Sequence, residues 1–180
     1  MEKGIIFIAG TYGVGKSTLC NNLSKKLNIP SFSSGDLISE INGETYGVNK
    51  VVKDKTTNQN ILITAVKKKL LSNSVFMLAG HFCIFNKNYE VEILPEFVYK
   101  QIPISKIILL ETDTMRIIDN IKIRDNKSYG LDAIERLIST ERKQAEIISG
   151  QLNRPLHIHK MNFDETDVEK IYTIIQGGAS

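Results

Sequence analysis

Gly10-Thr11-Tyr12-Gly13-Val14-Gly15-Lys16-Ser17, followed by Thr18, fits the pattern G-x-x-x-x-G-K-[ST] at every fixed position. The flanking residues supply the context such a loop needs. Before it, Gly4-Ile5-Ile6-Phe7-Ile8-Ala9 is an apolar, β-rich run of buried-strand length. After it, Leu19, Leu23 and Leu27 fall on one side and Asn21, Asn22, Lys25 and Lys26 on the other, which predicts an amphipathic helix. Strand, glycine loop and helix form the arrangement in which backbone N–H groups and a helix N-terminus wrap a phosphate chain. Gly10, Gly13 and Gly15 let the backbone take positive φ and approach phosphate oxygens without a Cβ clash. Lys16 reaches the β- and γ-phosphates as a mobile point charge, and Ser17 is the candidate Mg²⁺ ligand. Gly10, Tyr12, Gly13, Val14, Gly15, Lys16, Ser17 and Thr18 form the candidate nucleotide-binding set, with ATP and Mg²⁺ as its ligands. A chance Gly-Lys-Ser in a glycine-rich turn is the competing reading, and strand and helix together weigh against it.

The chain has 180 residues, enough for one domain with a full core, and a net charge of +3. That charge suits an anionic substrate but is too weak and too dispersed to indicate a nucleic-acid partner. Lys67-Lys68-Lys69 reads as the solvated part of a helix. No apolar run reaches membrane-spanning length and no secretory signal is legible, so no membrane partner is expected. Cys20 and Cys83 have no metal-ligand spacing and read as reduced thiols of a cytoplasmic protein.

Further along, Pro30 to Ser33 reads as a short second strand, and Ser34-Gly35-Asp36 opens a short helix. Asp36 is either that helix's N-cap or a polar group facing a second substrate or the metal shell. Asn42 to Asn58 is polar and reads as a flap. Ile61 to Leu70 has helical spacing, and Ser74 to Ala79 is a third, buried strand followed by Gly80-His81-Phe82, at the strand end where open α/β sheets bind ligands. Residues 86–93 read as a polar loop, Leu94 to Ile102 as a short helix and Ile104 to Leu110 as a fourth strand ending in Glu111. Asp113 is expected to cap a helix reaching Arg124. Asp125 to Gly130 is a loop, and Leu131 to Leu152 a long helix. Leu156 to Lys160 is the last strand, with His157 and His159 read as structural, and Asp164 to Asp167 starts the closing helix. The expected fold is a three-layer α/β/α domain with a parallel five-stranded sheet.

The order of these pieces resembles the P-loop nucleoside monophosphate kinases, in particular adenylate kinases of the archaeal type, over roughly residues 4–175. The phosphate loop resembles the family's, with Tyr12 where proline is common. Phe32-Ser33-Ser34-Gly35-Asp36 with Glu40 resembles its second motif. Lys53-Asp54 and Gln59 stand near the family's Arg-Asp and glutamine, and Gly80-His81 matches a Thr-His pair. Arg116, Asp119, Lys122, Arg124 and Asp125 are similar to its basic lid run, with Arg142 near a later arginine.

The resemblance implies one kinase-like domain over residues 1–180. Residues 34–60 would be an acceptor-binding flap that offers Asp36 and Lys53 alongside His81. Residues 116–142 would be a lid in which Arg116, Arg124 and Arg142 join Lys16 in catalysis. It also implies a nucleotide substrate and an oligomer of identical chains. Two departures stand out. Ala79 occupies the place of an aspartate at the end of the third strand, which leaves Ser17 as the obvious metal ligand, with Asp36 or Glu111 reaching the ion through water. Met115 and Lys122 stand where arginines are common. The expectation is ATP-dependent phosphoryl transfer to a nucleoside monophosphate. The alternative is a nucleotide-binding switch or slow ATPase that regulates a partner protein.

Overall fold

The computed structural model describes residues 3–42, 55–126 and 128–177. Its centre is strand β1 (Gly4–Ala9), whose six residues are all buried. A strand buried on both faces reads as a continuous apolar run rather than an alternating one. It lies between β3 (Val75–Ala79) and β6 (Ile104–Glu111), both parallel to it, with Ile8 opposite Ala79 on one side and Ile108 on the other. β2 (Ser31–Ser33) and β7 (Leu156–Lys160) complete a parallel five-stranded sheet of order β2-β3-β1-β6-β7.

Alternate residues of β1 feed opposite layers, because successive strand side chains point to opposite faces. Ile5, Phe7 and Ala9 pack with α2 (Ser34–Asn42), α3 (Lys55–Ser72), α4 (Phe97–Gln101) and α6 (Leu131–Leu152). Ile6 and Ile8 pack with α1 (Lys16–Leu27) and α7 (Glu165–Gln176). In α1 the buried Leu19, Leu23 and Leu27 are the stripe legible in the sequence. A third, smaller cluster joins Ile117 and Ile121 of α5 (Thr114–Asp125) to Ile134 of α6, with Tyr12 packed against it.

Two local expectations need correction. The stretch 86–93 is not simply a loop: β4 (Cys83–Phe85) and β5 (Val91–Ile93) pair as an antiparallel hairpin, Ile84 opposite Glu92. Its strands are too short to show a period, and Asn86 builds the turn by accepting from the N–H groups of Asn88 (2.8 Å) and Glu90 (3.0 Å). Asp113 occupies the N-cap of α5 but makes no side-chain cap bond there, because its carboxylate takes the Lys160 ammonium at 2.8 Å.

Candidate functional site

The phosphate loop leaves the C-terminal end of β1, where the sheet order reverses between β3 and β6 and a crevice opens. Gly10 has φ 146°, and a Cβ there would lie 2.7 Å from the Leu110 carbonyl oxygen, so only glycine fits. Gly15, at φ 96°, forms the N-cap of α1 without a side-chain bond, which leaves the first N–H groups of that helix to other acceptors. Asn120 of α5 holds the loop from above, its amide donating to Gly13 O at 2.8 Å.

Tyr12, Gly13, Val14, Gly15, Lys16, Ser17 and Thr18 line a cleft of about 940 Å³. Gly10 does not line it. It is buried, and its role is to turn the chain. Ser17 and Thr18 are exposed to the cleft, whereas Val14 is fully buried beneath it. Lys16 folds back on its own loop and donates to Gly10 O at 2.7 Å and Thr11 O at 2.9 Å. Withdrawal from water lowers its pKa to about 8, against the opposing pull of the Glu141 carboxylate.

On the far wall stand Asp36, Gln59 and His81. Asp36 is exposed in the first turn of α2, and its N–H lies 3.4 Å from Ser33 Oγ. Ser33 therefore stands at the capping position, which releases the Asp36 carboxylate toward the cleft. Lys53 lies outside the described residues, as do residues 43–54 of the expected flap; its parts 34–42 and 55–60 are helical, in α2 and α3. An aromatic ladder crosses the cleft. Tyr12 lies against His81 (centroids 4.6 Å apart) and Phe85 (6.3 Å), and Phe85 stacks on Tyr129 at 5.0 Å. Burial, reinforced by Tyr129, raises the Tyr12 phenol well above its usual value and keeps it neutral.

The three arginines separate. Arg124 lines the cleft and clasps Asp125 with two bonds. Arg116 does not line it. Its guanidinium lies over the Phe163 ring at 4.8 Å, and Phe163 forms the wall in its place. Arg142 also stays outside, its Nε 3.6 Å from both Glu111 and Glu146. Glu111, the acid expected to reach a metal through water, does not line the cleft either. Ala79 lines the cleft with a buried methyl group. Among the described residues no set of three or more His, Cys, Asp or Glu is placed to hold a metal ion. Here His159 bonds Asp167 at 2.7 Å and serves the fold.

The sequence reading missed Glu141. Its carboxylate is 2% exposed, yet it accepts the N–H of Gly10 at 3.1 Å, of Phe82 at 2.9 Å and of Cys83 at 2.9 Å. Burial raises its pKa, opposed by Lys16 and by these donors. A signal was present, since Glu141 falls among Leu137, Gln144, Ala145 and Ile148 on the buried stripe of α6, where an unpaired acid would be costly.

A protein-family model described as AAA domain matches residues 9–138, from the last residue of β1 into the first half of α6. The chain belongs to that family. The chain is also 30% identical over 125 residues to an adenylate kinase of Wolbachia pipientis subsp. Culex pipiens, a match taking in 67% of this chain. It spans 59% of the length of that relative. Among solved structures, the fold matches a shikimate kinase from Acinetobacter baumannii in complex with shikimate, with TM-score 0.64, 13% identity and coverage of 97% of this chain and 94% of that one. A gluconokinase from Sinorhizobium meliloti 1021 matches at TM-score 0.55 and 10% identity, over 95% and 90% of the two chains. At these identities the structural matches establish the P-loop kinase fold for this AAA-domain chain. Among the described residues no helix is long and apolar enough to cross a membrane.

Proposed function

We propose that the protein transfers the γ-phosphoryl group of ATP to a small phosphorylated acceptor, a nucleoside monophosphate, as an adenylate kinase-like enzyme. The observation that carries this reading is a single cleft whose floor is the phosphate loop and whose opposite wall holds Asp36, Gln59 and His81. Two ligands can face each other across it, as in-line transfer requires. The aromatic ladder favours an acceptor bearing a planar base over a polyol, since its faces and edges offer stacking rather than hydrogen bonds. The adenylate kinase relative points the same way.

The residues present fit ATP and its metal. Positive φ at Gly13 and Gly15 turns the backbone so that its N–H groups can face phosphate, and the exposed Ser17 hydroxyl would hold Mg²⁺. Mg²⁺ supplies charge to the β- and γ-phosphate oxygens when bound. Lys16 leaves the Gly10 and Thr11 carbonyls to meet those phosphates. Arg124 swings from Asp125 to the transferring group, while Asp36 and His81, with Lys53 from outside the described residues, orient the acceptor. Arg116 and Arg142 have no part in this reading.

A slow ATPase that acts as a switch is favoured by one observation, the methyl group of Ala79 where a carboxylate would face the cleft. A scan of nucleoside monophosphates, shikimate and gluconate for acceptor-dependent ADP formation separates the readings, with Lys16→Ala as the inactive control. Transfer to a monophosphate supports the kinase. ADP release indifferent to every acceptor supports the switch.

A further inference from the structure

The densest hydrogen bonding beside the cleft converges on Glu141, a side chain that does not line it. Oε1 accepts from Gly10 N–H at 3.1 Å and Phe82 N–H at 3.1 Å. Oε2 accepts from Phe82 N–H at 2.9 Å, Cys83 N–H at 2.9 Å and Cys83 Sγ at 3.3 Å. Gly10 opens the phosphate loop, and Phe82 and Cys83 follow His81 on the acceptor wall. These two segments leave neighbouring strands, and the described ladder between them ends with Gly80 N–H bonded to Ile8 O at 3.0 Å. Beyond that bond Gly10 is tied to Phe82 and Cys83 by hydrogen bonds to one carboxylate from α6, alongside the ring contacts of Tyr12 with His81 and Phe85.

We propose that Glu141 is a positioning residue that fixes the phosphate loop against the His81 segment, so that nucleotide bound at the first orders the second. The placement favours this over simple core filling. An apolar side chain of similar volume would fill the same space at lower desolvation cost, but it would strand three backbone N–H groups in a buried site. Both joined segments are held at a second point. Lys16 Nζ binds the carbonyls of Gly10 and Thr11, and Tyr99 Oη donates to His81 O at 2.7 Å. When Lys16 turns to a phosphate it releases the Gly10 carbonyl, and the Gly10 N–H on Glu141 carries any shift of the loop to Phe82 and Cys83.

As to turnover, the inference rests on the kinase reading; as to coupling, it does not. Amide hydrogen exchange with and without millimolar ATP and Mg²⁺ reads the coupling directly. In the unaltered chain, protection should rise both in residues 12–16 and at Phe82 and Cys83. In Glu141→Gln, which places an N–H₂ against two of the three backbone donors whichever oxygen it replaces, it should rise in 12–16 alone. For turnover, Glu141→Gln should lower kcat by about 100-fold, the cost of slight misplacement of reacting groups, with ATP affinity kept within about threefold. ATP that leaves Phe82 and Cys83 unprotected in the unaltered chain overturns the proposal, even if Glu141→Gln fails to fold. So does a Glu141→Gln variant in which the two segments still respond together. Absence of any acceptor-dependent turnover in the unaltered chain overturns the kinase reading and leaves the exchange result to judge Glu141.

Discussion

Arg124 and its neighbour Asp125 are joined fork to fork, Nε to Oδ1 at 2.8 Å and an Nη to Oδ2 at 2.6 Å, at the edge of the cleft. The guanidinium gives Asp125 the same flat, paired edge that it would offer two phosphate oxygens once it leaves the carboxylate. These hydrogen bonds, opposed by partial burial, raise the Arg124 pKa above its usual value. Arg124→Ala should cut kcat by on the order of 10²–10³, the loss seen when one donor to a developing charge is removed. ATP affinity should be nearly unchanged, because charge shared between two phosphates peaks in the transition state. Arg124→Lys should recover little, since a point charge cannot make the paired contact. Steady-state kinetics with calorimetry checks this; retention of most turnover by Arg124→Ala would leave Arg124 as no more than Asp125's partner.

Gly80 leaves β3 beneath His81 with no room for a side chain. A Cβ there would lie 2.8 Å from both Phe7 Cζ and Ser34 Oγ. Phe7 is 2% exposed in the core and cannot yield cheaply. Gly80→Ala should destabilise the fold by roughly 1–3 kcal/mol, about 2–4 °C of melting temperature for each kcal/mol in a domain of this size. A thermal scan decides it, and an unchanged midpoint would mean that the acceptor wall can slide.

Asp167 accepts from Asn162 N–H at 3.0 Å and Phe163 N–H at 2.7 Å, and lies 2.7 Å from His159 Nε2. Burial would raise its pKa, but these partners outweigh it and hold the group below its ordinary 3.8. A depressed carboxylate contributes stability that is present above 3.8 and lost as pH falls through the folded-state value. Asp167→Asn should therefore lower the melting temperature at pH 7, and the gap to the unaltered chain should close as pH drops below 3.8. A gap constant with pH would place the effect in shape rather than charge.

Ala79→Asp would put a carboxylate at the end of β3, facing the cleft that Ser17 also lines. Without metal, a buried acid lacking a partner should cost stability. With Mg²⁺ and ATP present, the variant should regain it and reach half-maximal activity at a lower Mg²⁺ concentration. Equal thermal shifts with and without Mg²⁺ would exclude this position from the metal's surroundings.

What the sequence revealed tracks the length scale of each signal. β1, the phosphate loop and α1 were legible because a buried run, fixed glycines and a leucine stripe follow one another without a gap. The 22-residue α6 carried enough turns for its period to show. The β4–β5 hairpin did not, since its strands hold three residues each. For the arginines, composition revealed a basic run but not which way each side chain turns. Arg142 is one step, a rotation of about 100°, around the helix from Glu141. The acid points into the protein and the base out to Glu111 and Glu146. The place of Glu141 on the buried stripe of α6 was legible, but its donors come from segments remote in sequence, a relation no local pattern encodes.

The strand order has a consequence for how the protein is made. β1 pairs with strands about 70 and about 100 residues further along, and Gly10 is bonded from still later, by Glu141. Such distant pairings form slowly, because the loop between them must close first. A chain emerging from the ribosome at ~5–20 residues per second therefore carries its complete phosphate-loop sequence for several seconds before the partners that shape it exist. Gly10 gains its bond to Glu141 only after α6 has been synthesised, so nucleotide should stabilise the full chain more than nascent chains that end before α6.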